Sequence, residues 1–319
     1  MKKEIQNGEK AKSASTAIWF NRTEKDDERR ARLYAGEIFV YDHVPAVEKF
    51  AAFSSELIEK ALSPHDPRHV HEALTPEELA PLLGKLKPAF THHPESKRLV
   101  AKILEELGTD LDDCHIDVPK LRTAYPTGHL TKGIAYAFPW HRDTWYGGPM
   151  AQINWWLPIY PLSADNCMAF DPRNFSGAVA NDSDKFNYYR RNVERKDAAQ
   201  FIKEDPRVQP SAVALGSEEP EFRLLPQVGG IIVFSGAQLH TTITSASCLS
   251  RYSIDFRTVS RRDVERGLGA ANIDTRCVGT ALRDFRRATD GAAMPEELAR
   301  KLDPLGPAPD EVAVFKPGA

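Results

Sequence analysis

Apolar residues recur at helical spacing along the first third of the chain. Over Pro45–Leu62 they fall at Val47, Phe50, Ala51, Leu57, Ile58 and Leu62, a stripe that turns one helix face toward a core. A second helix is marked by its start. Thr75 can cap it, Pro76 suits its first turn, and Glu78 completes a capping box ahead of Leu79, Leu82 and Leu83. A third is predicted over residues 95–107, with Leu99, Ile103 and Leu107 on one stripe and Gly108 as its stop. Before these helices, residues 1–34 are polar and charged, with a dense run over residues 22–30. That stretch reads as a flexible arm on the surface.

From about residue 115 to 260 the period changes. Short runs rich in β-branched and aromatic residues, such as 152–160 and 230–234, are broken by Gly, Pro, Asn and Asp, which is a strand pattern. Helices first and strands after predict an α+β fold, with the helices packed on a β-sandwich or barrel. Residues 176–225 are polar and tyrosine-rich with little strand pattern, and read as one long insertion of the kind that forms lids. A modest helix is predicted around residues 295–302, followed by a proline-rich end. After the arm, the expectation is one domain over residues 35–319. It has a helical part (35–114), a strand core (115–260) and a C-terminal extension (261–319).

Composition adds mainly exclusions. The formal net charge of −3 gives no basic excess for a nucleic-acid or anionic-membrane partner. No stretch approaches the run of roughly 18 apolar residues that a membrane span needs. The first ten residues carry charge with no apolar run behind them, so a cytoplasmic location is expected. Cys114, Cys167, Cys248 and Cys277 are scattered without CxxC spacing, which points to free thiols.

The chemistry is concentrated in three places. Residues 138–145 read Phe-Pro-Trp-His-Arg-Asp-Thr-Trp and hold His141 and Asp143. On a strand these two would point to the same side, as two ligands of one metal must, with Arg142 pointing away. A lone His-x-Asp is weak evidence, but a glycine turn, Tyr146-Gly147-Gly148-Pro149, follows it. His240 comes at the end of the apolar run 230–234 and its turn, and it can equally be a core histidine. Arg251, eleven residues on (251 − 240), begins a stretch in which Arg251, Ser253, Asp255 and Arg257 alternate with Tyr252, Ile254 and Phe256. One reading of that polar face is solvent exposure. The other is the lining of a barrel, where a dicarboxylate would pair the arginine. Two imidazoles and one carboxylate on one side of a metal form the facial triad of non-haem Fe(II) oxygenases.

Together these residues resemble the Fe(II)/2-oxoglutarate-dependent dioxygenases, nearest to the phytanoyl-CoA dioxygenase-like group. The resemblance covers roughly residues 120–260. It rests on His141-x-Asp143, distal His240, the short interval to Arg251, the Arg-x-Ser pattern with Ser253, and an aromatic strand at Trp156 leading to a turn. The family's usual Asn-Gly in that turn is Asn166-Cys167 here. The spacing of Arg251 and Arg257 also matches the paired arginines of AlkB-type demethylases in the same superfamily. The resemblance implies a double-stranded β-helix, a jelly roll or cupin-like core, with the N-terminal helices packed on it. It implies Fe(II) held by His141, Asp143 and His240, and 2-oxoglutarate and O2 as co-substrates. Arg251, assisted by Ser253, would bind the distal carboxylate of 2-oxoglutarate. Arg257 would help at the other carboxylate or be a structural arginine paired with Asp255, and Trp156 or Asn154 would line the pocket. The implied outcome is oxidation, by hydroxylation above all, of an unactivated C–H bond in a small polar molecule such as an amino acid or biosynthetic intermediate. Asp143 stands where halogenating relatives carry a small residue, which disfavours halogenation.

Arg122, Tyr136 and Trp145 lie near the ligands and are the candidates for substrate contact. Tyr188, Tyr189, Arg190 and Arg191 of the insertion would do the same for an acidic molecule, or form a solvated helix face. Three other readings stay open. They are a demethylase acting on nucleic acid or protein with the same iron chemistry, a cupin-like metal-binding protein without turnover, and a zinc hydrolase. The last lacks an obvious general base in these strands.

Overall fold

The computed structural model describes residues 16–304 apart from 218 and 221, together with Gly306. The chain opens with β1 (Ile18–Phe20), α1 (Asp26–Tyr34) and β2 (Ile38–Tyr41). Four helices follow, α2 (Pro45–Leu62), α3 (Val70–Ala73), α4 (Pro76–His92) and α5 (Pro94–Glu106). The capping box forms as the sequence predicts: the Thr75 backbone N–H donates to Glu78 Oε2 (2.8 Å) and the Glu78 N–H to Thr75 Oγ1 (3.3 Å).

Strands then dominate: β3 (Cys114–Ile116), β4 (Lys120–Ala124), β5 (Ile153–Pro158), β6 (Met168–Phe170) and β7 (Ala180–Asn181). After α6 (Tyr188–Glu194) come β8 (Ala212–Ala214), β9 (Phe222–Leu224), β10 (Ile231–Ser235), β11 (His240–Thr242) and β12 (Arg251–Ser260). The described chain finishes with α7 (Arg261–Arg266), β13 (Arg286–Arg287) and α8 (Glu296–Leu302). Eight strands make one sheet in the order β1-β2-β10-β5-β12-β3-β13, with β4 paired to β12, and β11-β6-β9 make a second. The fold is α+β, as expected.

Alternation along the strands explains the layering. Tyr252, Ile254 and Phe256 of β12, with Ile153, Trp155 and Leu157 of β5, face the helices and join Phe50, Leu83, Phe90 and Ile103 in the main core. Trp155 stacks on Phe256 with ring centroids 5.8 Å apart. Each side chain of this size taken out of water stabilises by roughly 1.5–3 kcal/mol. The opposite face of the large sheet meets the small sheet through Ile38, Val40, Trp156 and Ile232 on one side and Met168, Phe170 and Leu224 on the other. The polar positions of β12 look into this inter-sheet space. The exposed-face alternative for that strand therefore falls away: Arg251 is 7% exposed and Ser253 0%.

Two expectations need correction. Residues 1–15 lie outside the described residues, but 16–34 do not form a loose arm. Strand β1 pairs in parallel with β2, and Arg29 and Arg30 of α1 are buried. Arg30 pairs with Asp26 and with Asp263, at 2.6 Å to the latter, and the Tyr34 hydroxyl also donates to Asp263 (2.8 Å). Charges that read as solvated are neutralised by a partner 233 positions away. The insertion is also shorter than its expected 176–225. Strand β9 belongs to the small sheet, pairing with β6, because Phe222 and Leu224 turn inward while Arg223 stays out.

Candidate metal centre and anion cradle

His141 and His240 are brought together by the backbone itself. They form an antiparallel bridge in which each N–H donates to the other's carbonyl at 3.0 Å. Directly opposed residues project to the same face, and the two rings lie with centroids 4.2 Å apart. His141 therefore sits in an isolated bridge rather than in the expected full strand, and Asp143 opens a 3-10 turn over Asp143–Tyr146. Gly147 ends that turn with φ +79°, and a Cβ at Gly148 would lie 2.7 Å from Gln152 Oε1 and 2.9 Å from the Asp143 carbonyl. The glycine pair thus lets the turn fold tightly against β5. Arg142 points away, as expected, pairing with Asp274 at 3.1 Å and donating to the Asn174 and Gly177 carbonyls.

His141 Nε2 lies 3.6 Å and His240 Nε2 3.9 Å from Asp143 Oδ1. The ligand atoms of the three residues fall within 4.8 Å of one another, the one such group among the described residues. Each imidazole is oriented through its other nitrogen. His141 Nδ1 donates to the Pro139 carbonyl (2.7 Å) and His240 Nδ1 to the Gln238 carbonyl (2.9 Å). That fixes the tautomer in which both Nε2 lone pairs face the carboxylate, as metal ligation requires. Phe170 and Phe234 pack on His240, and Phe138 and Tyr146 on His141.

Asp143 is held through its second oxygen. Asp143 Oδ2 accepts from Arg257 Nε and from Gln152 Nε2, both at 3.1 Å. Burial would raise the Asp143 carboxyl, but Arg257 and the two histidines outweigh it and hold it well below the usual carboxylate range. Burial, then the neighbouring His141, pushes His240 down to about 3, so the metal-free site keeps that imidazole neutral. Arg257 also donates to Asp117 (3.0 Å) and approaches Asp255 at 3.5 Å. Its fixed contacts are carboxylates of the protein, Asp143 first among them.

Further along the same face of β12, Arg251 and Ser253 have a different character. Arg251 Nε and Nη1 and Ser253 Oγ are buried with no hydrogen-bond partner among the described residues. The Arg251 guanidinium lies 5.4 Å from the Trp156 ring centroid, and burial lowers its pKa to about 10. An unpaired buried cation beside an unpaired hydroxyl is costly unless a ligand supplies the missing acceptor. The donor set fits a carboxylate. Asn166 anchors this end through Nδ2, which donates to the Ala124 and Leu249 carbonyls.

Asn154 and Trp156 both face this space. Asn154 Oδ1 accepts from Gln152 Nε2 at 2.8 Å, close to Asp143, while Trp156 lies under Arg251. Arg122 also faces it, but its guanidinium is engaged by Asp255 at 2.6 and 3.0 Å. Tyr136 continues a row of rings to His141: Tyr136 to Phe138 at 5.0 Å and Phe138 to His141 at 5.1 Å. Trp145 stands apart. It is fully buried with Val179 and Leu239, and its indole N–H donates to Asp274 (2.7 Å), so it packs the fold rather than facing this space.

The sequence pattern does not single out Gln152 and Asp117, which hold Asp143 and Arg257. Gln152 lies two residues before Asn154, and that same-face spacing was a usable signal. Asp117, which holds Arg257, had none.

No protein-family model matches this sequence, and no curated protein matches it. Among solved structures, the chain is similar to ThoJ, a non-heme monooxygenase, in its apo form (13% identity, 73% of this chain and 78% of that chain, TM-score 0.39). It is similar to EvdO2 from Micromonospora carbonacea var. aurantiaca complexed with 2-oxoglutarate (12% identity, 75% and 93%, TM-score 0.43). A third is the epimerase SnoN in complex with Fe3+, alpha ketoglutarate and nogalamycin RO (13% identity, 74% and 85%, TM-score 0.37).

Proposed function

We propose that this chain is a non-haem Fe(II)- and 2-oxoglutarate-dependent oxygenase, close to the phytanoyl-CoA dioxygenase-like group, that hydroxylates an unactivated C–H bond of a small polar molecule. One observation carries this reading. An open-sided His-His-Asp group and an orphaned arginine–serine pair lie on the same buried inter-sheet space. A metal-binding protein without a co-substrate needs only the first, and a simple anion site needs only the second. A metal with a dicarboxylate co-substrate uses both. The two facing sheets are the arrangement that a jelly roll would give.

His141, Asp143 and His240 would hold Fe(II), and Arg251 with Ser253 would hold the distal carboxylate of 2-oxoglutarate. Fe(II) and 2-oxoglutarate held there would supply, with O2, an oxidant able to break an unactivated C–H bond. The protein's own residues perform the remaining tasks. Arg257 and Gln152 fix Asp143 Oδ2 so that Oδ1 stays turned to the histidines. Arg251 orients the co-substrate by fork-shaped donation, and Trp156 supports the guanidinium from below. Phe138, Tyr146, Phe170 and Phe234 keep water from the imidazoles.

A zinc hydrolase finds less support. Asp117 and Asp255, the carboxylates beyond the triad that contact Arg257, are tied up with Lys120 and Arg122 as well. Neither is free to act as a general base. No helix among the described residues is long and apolar enough to cross a membrane, and the proposed location is the cytoplasm.

Calorimetric titration of Mn(II)-loaded protein with 2-oxoglutarate tests this function. Saturable binding to wild type, weakened in both Arg251→Ala and His240→Ala, is the expected result. Binding that ignores either substitution contradicts it.

A further inference from the structure

Arg190 and Arg191 are neighbours in α6, and the structure separates them. Arg190 is exposed and pairs with Glu194 at 3.2 Å across one turn. Arg191 falls three residues after Tyr188, on the inward side of the same helix, and is half-buried. Its Nη1 is sealed from solvent with no hydrogen-bond partner among the described residues. The carboxylate within its electrostatic reach, Asp205, is already gripped by Arg207 Nε and Nη2 at 2.7 and 2.6 Å. Arg207 in turn repels Arg191. Asp182 is also engaged, accepting the Ser211 backbone N–H at 2.8 Å.

The helix that carries Arg191 sits against the turn that carries Tyr146: a Cβ at Gly147 would lie 3.0 Å from the Tyr188 ring, and Arg191 is one helical turn after Tyr188. The Arg191 charge also acts on both Tyr136 and Tyr146. Tyr146 lies against His141 with centroids 5.5 Å apart, and against Phe138 at 5.8 Å. Tyr136 reaches His141 through Phe138. The Tyr146 hydroxyl is spent on the Pro210 carbonyl (2.8 Å), so it does not supply the missing acceptor. The insertion is seated firmly here: a Cβ at Gly133 would lie within 2.5 Å of the Phe201 and Ala198 carbonyls. Arg191 is therefore a half-buried cation with no hydrogen-bonded anion among the described residues, on the insertion beside the Tyr146 turn rather than on the strand that carries Arg251.

We propose that Arg191 binds an oxyanion of the molecule to be oxidised, a carboxylate or a phosphate. The substrate class is then anionic, with the anion at Arg191, its body along Tyr136, Phe138 and Tyr146, and the reacting carbon toward the metal ligands. This rests on the oxygenase reading above. A half-buried guanidinium with one nitrogen sealed from water and unpaired carries a desolvation cost that an anionic ligand offsets on binding.

The test uses inorganic phosphate as the probe, on the metal-free full chain at low salt, by calorimetry. Arg251→Gln removes the other orphaned arginine and is expected to retain a saturable phosphate site. Adding Arg191→Gln should weaken that site tenfold or more, while adding Arg191→Lys should keep most of it. The melting temperature of Arg191→Gln alone should equal or exceed that of wild type, because an unpaired charge has been removed. Phosphate binding equal in Arg251→Gln and the double variant overturns the proposal. So does the absence of any site in Arg251→Gln, or a lower melting temperature with phosphate binding unchanged, which marks a structural arginine. The Fe(II)/2-oxoglutarate chelate does not use Arg191, so Arg191→Gln should still form it. A wild type that binds phosphate through Arg191 but forms no chelate sinks the oxygenase reading and leaves this site standing.

Discussion

Arg257 Nε donates to Asp143 Oδ2 at 3.1 Å, joining the polar face of β12 to the carboxylate of the His-Asp-His group. The same guanidinium is held by Asp117 and approaches Asp255, so it is a fixed post rather than a mobile donor. It leaves Asp143 Oδ1 free for a metal, 3.6 and 3.9 Å from the two histidine Nε2 atoms. Arg257→Ala should therefore weaken metal binding by about 10- to 100-fold, the usual cost of losing a partner of a ligand. Competition with a fluorescent chelator measures this, and an unchanged affinity would show that Arg257 serves only the fold.

Gln152 is the second support of Asp143 and also holds Asn154. Gln152→Leu should cost metal affinity by itself, and the double variant with Arg257→Ala should be non-additive, since both grip one oxygen. Strict additivity in that cycle would mean that the two contacts act on separate features of the site.

Arg251 and Ser253 should govern the co-substrate and not the metal. Losing a charge-assisted pair costs roughly 1.5–3 kcal/mol, so Arg251→Ala should raise the 2-oxoglutarate requirement by about ten- to a hundredfold. Ser253→Ala should raise it less. Metal affinity should be unchanged in both. If Arg251→Ala leaves the 2-oxoglutarate dependence where it was, the cradle has another ligand.

How much of this was legible in the sequence depends on range. The alternation Arg251, Ser253, Asp255, Arg257 identifies one face of one strand, and the structure buries Arg251 and Ser253 on it and half-buries Asp255 and Arg257. The capping box at Thr75 is local and formed as read. The fold of residues 18–34 was not legible, because Arg30 finds Asp263 across 233 positions and a charge run looks the same with or without distant partners. The His141–Asp143 geometry was read as strand periodicity and is achieved otherwise, by a bridge to His240 and a 3-10 turn closed at Gly147. Convergence at the site survived that change because the glycines permit the turn. Which aromatics face the ligands and which fill the core, Phe138 against Trp145, is a matter of packing that composition does not encode.

Trp145 offers a check on that distinction. It is fully buried, and its N–H meets Asp274. Trp145→Phe should lower stability by about 1–3 kcal/mol, mainly by leaving the Asp274 acceptor short of a donor, while leaving metal and 2-oxoglutarate affinities intact. Denaturant melts alongside ligand titrations separate the two. Normal stability with impaired ligand binding would place Trp145 in the site.

The metal-free protein should lose stability in acid through His240. The native imidazole is held down to about 3, against about 6.5 in an unfolded chain. Between these values the unfolded chain binds the extra proton, so stability rises with pH. The contribution is complete above about 6.5 and is lost as pH falls toward 3. His240→Gln should flatten the stability curve across that window in chemical denaturation, and an unchanged slope would mean that His240 is not buried as a neutral ring.

The central claim is that His141, Asp143 and His240 hold iron in one site with 2-oxoglutarate. The most direct measurement is anaerobic titration of the apo-protein with Fe(II) and 2-oxoglutarate, watching for the weak visible charge-transfer band of the chelate, with His141→Ala and His240→Ala run beside wild type. A band in wild type that is absent from both variants is the predicted result. Iron bound without a band would contradict the co-substrate assignment, and a band that survives either substitution would contradict the site.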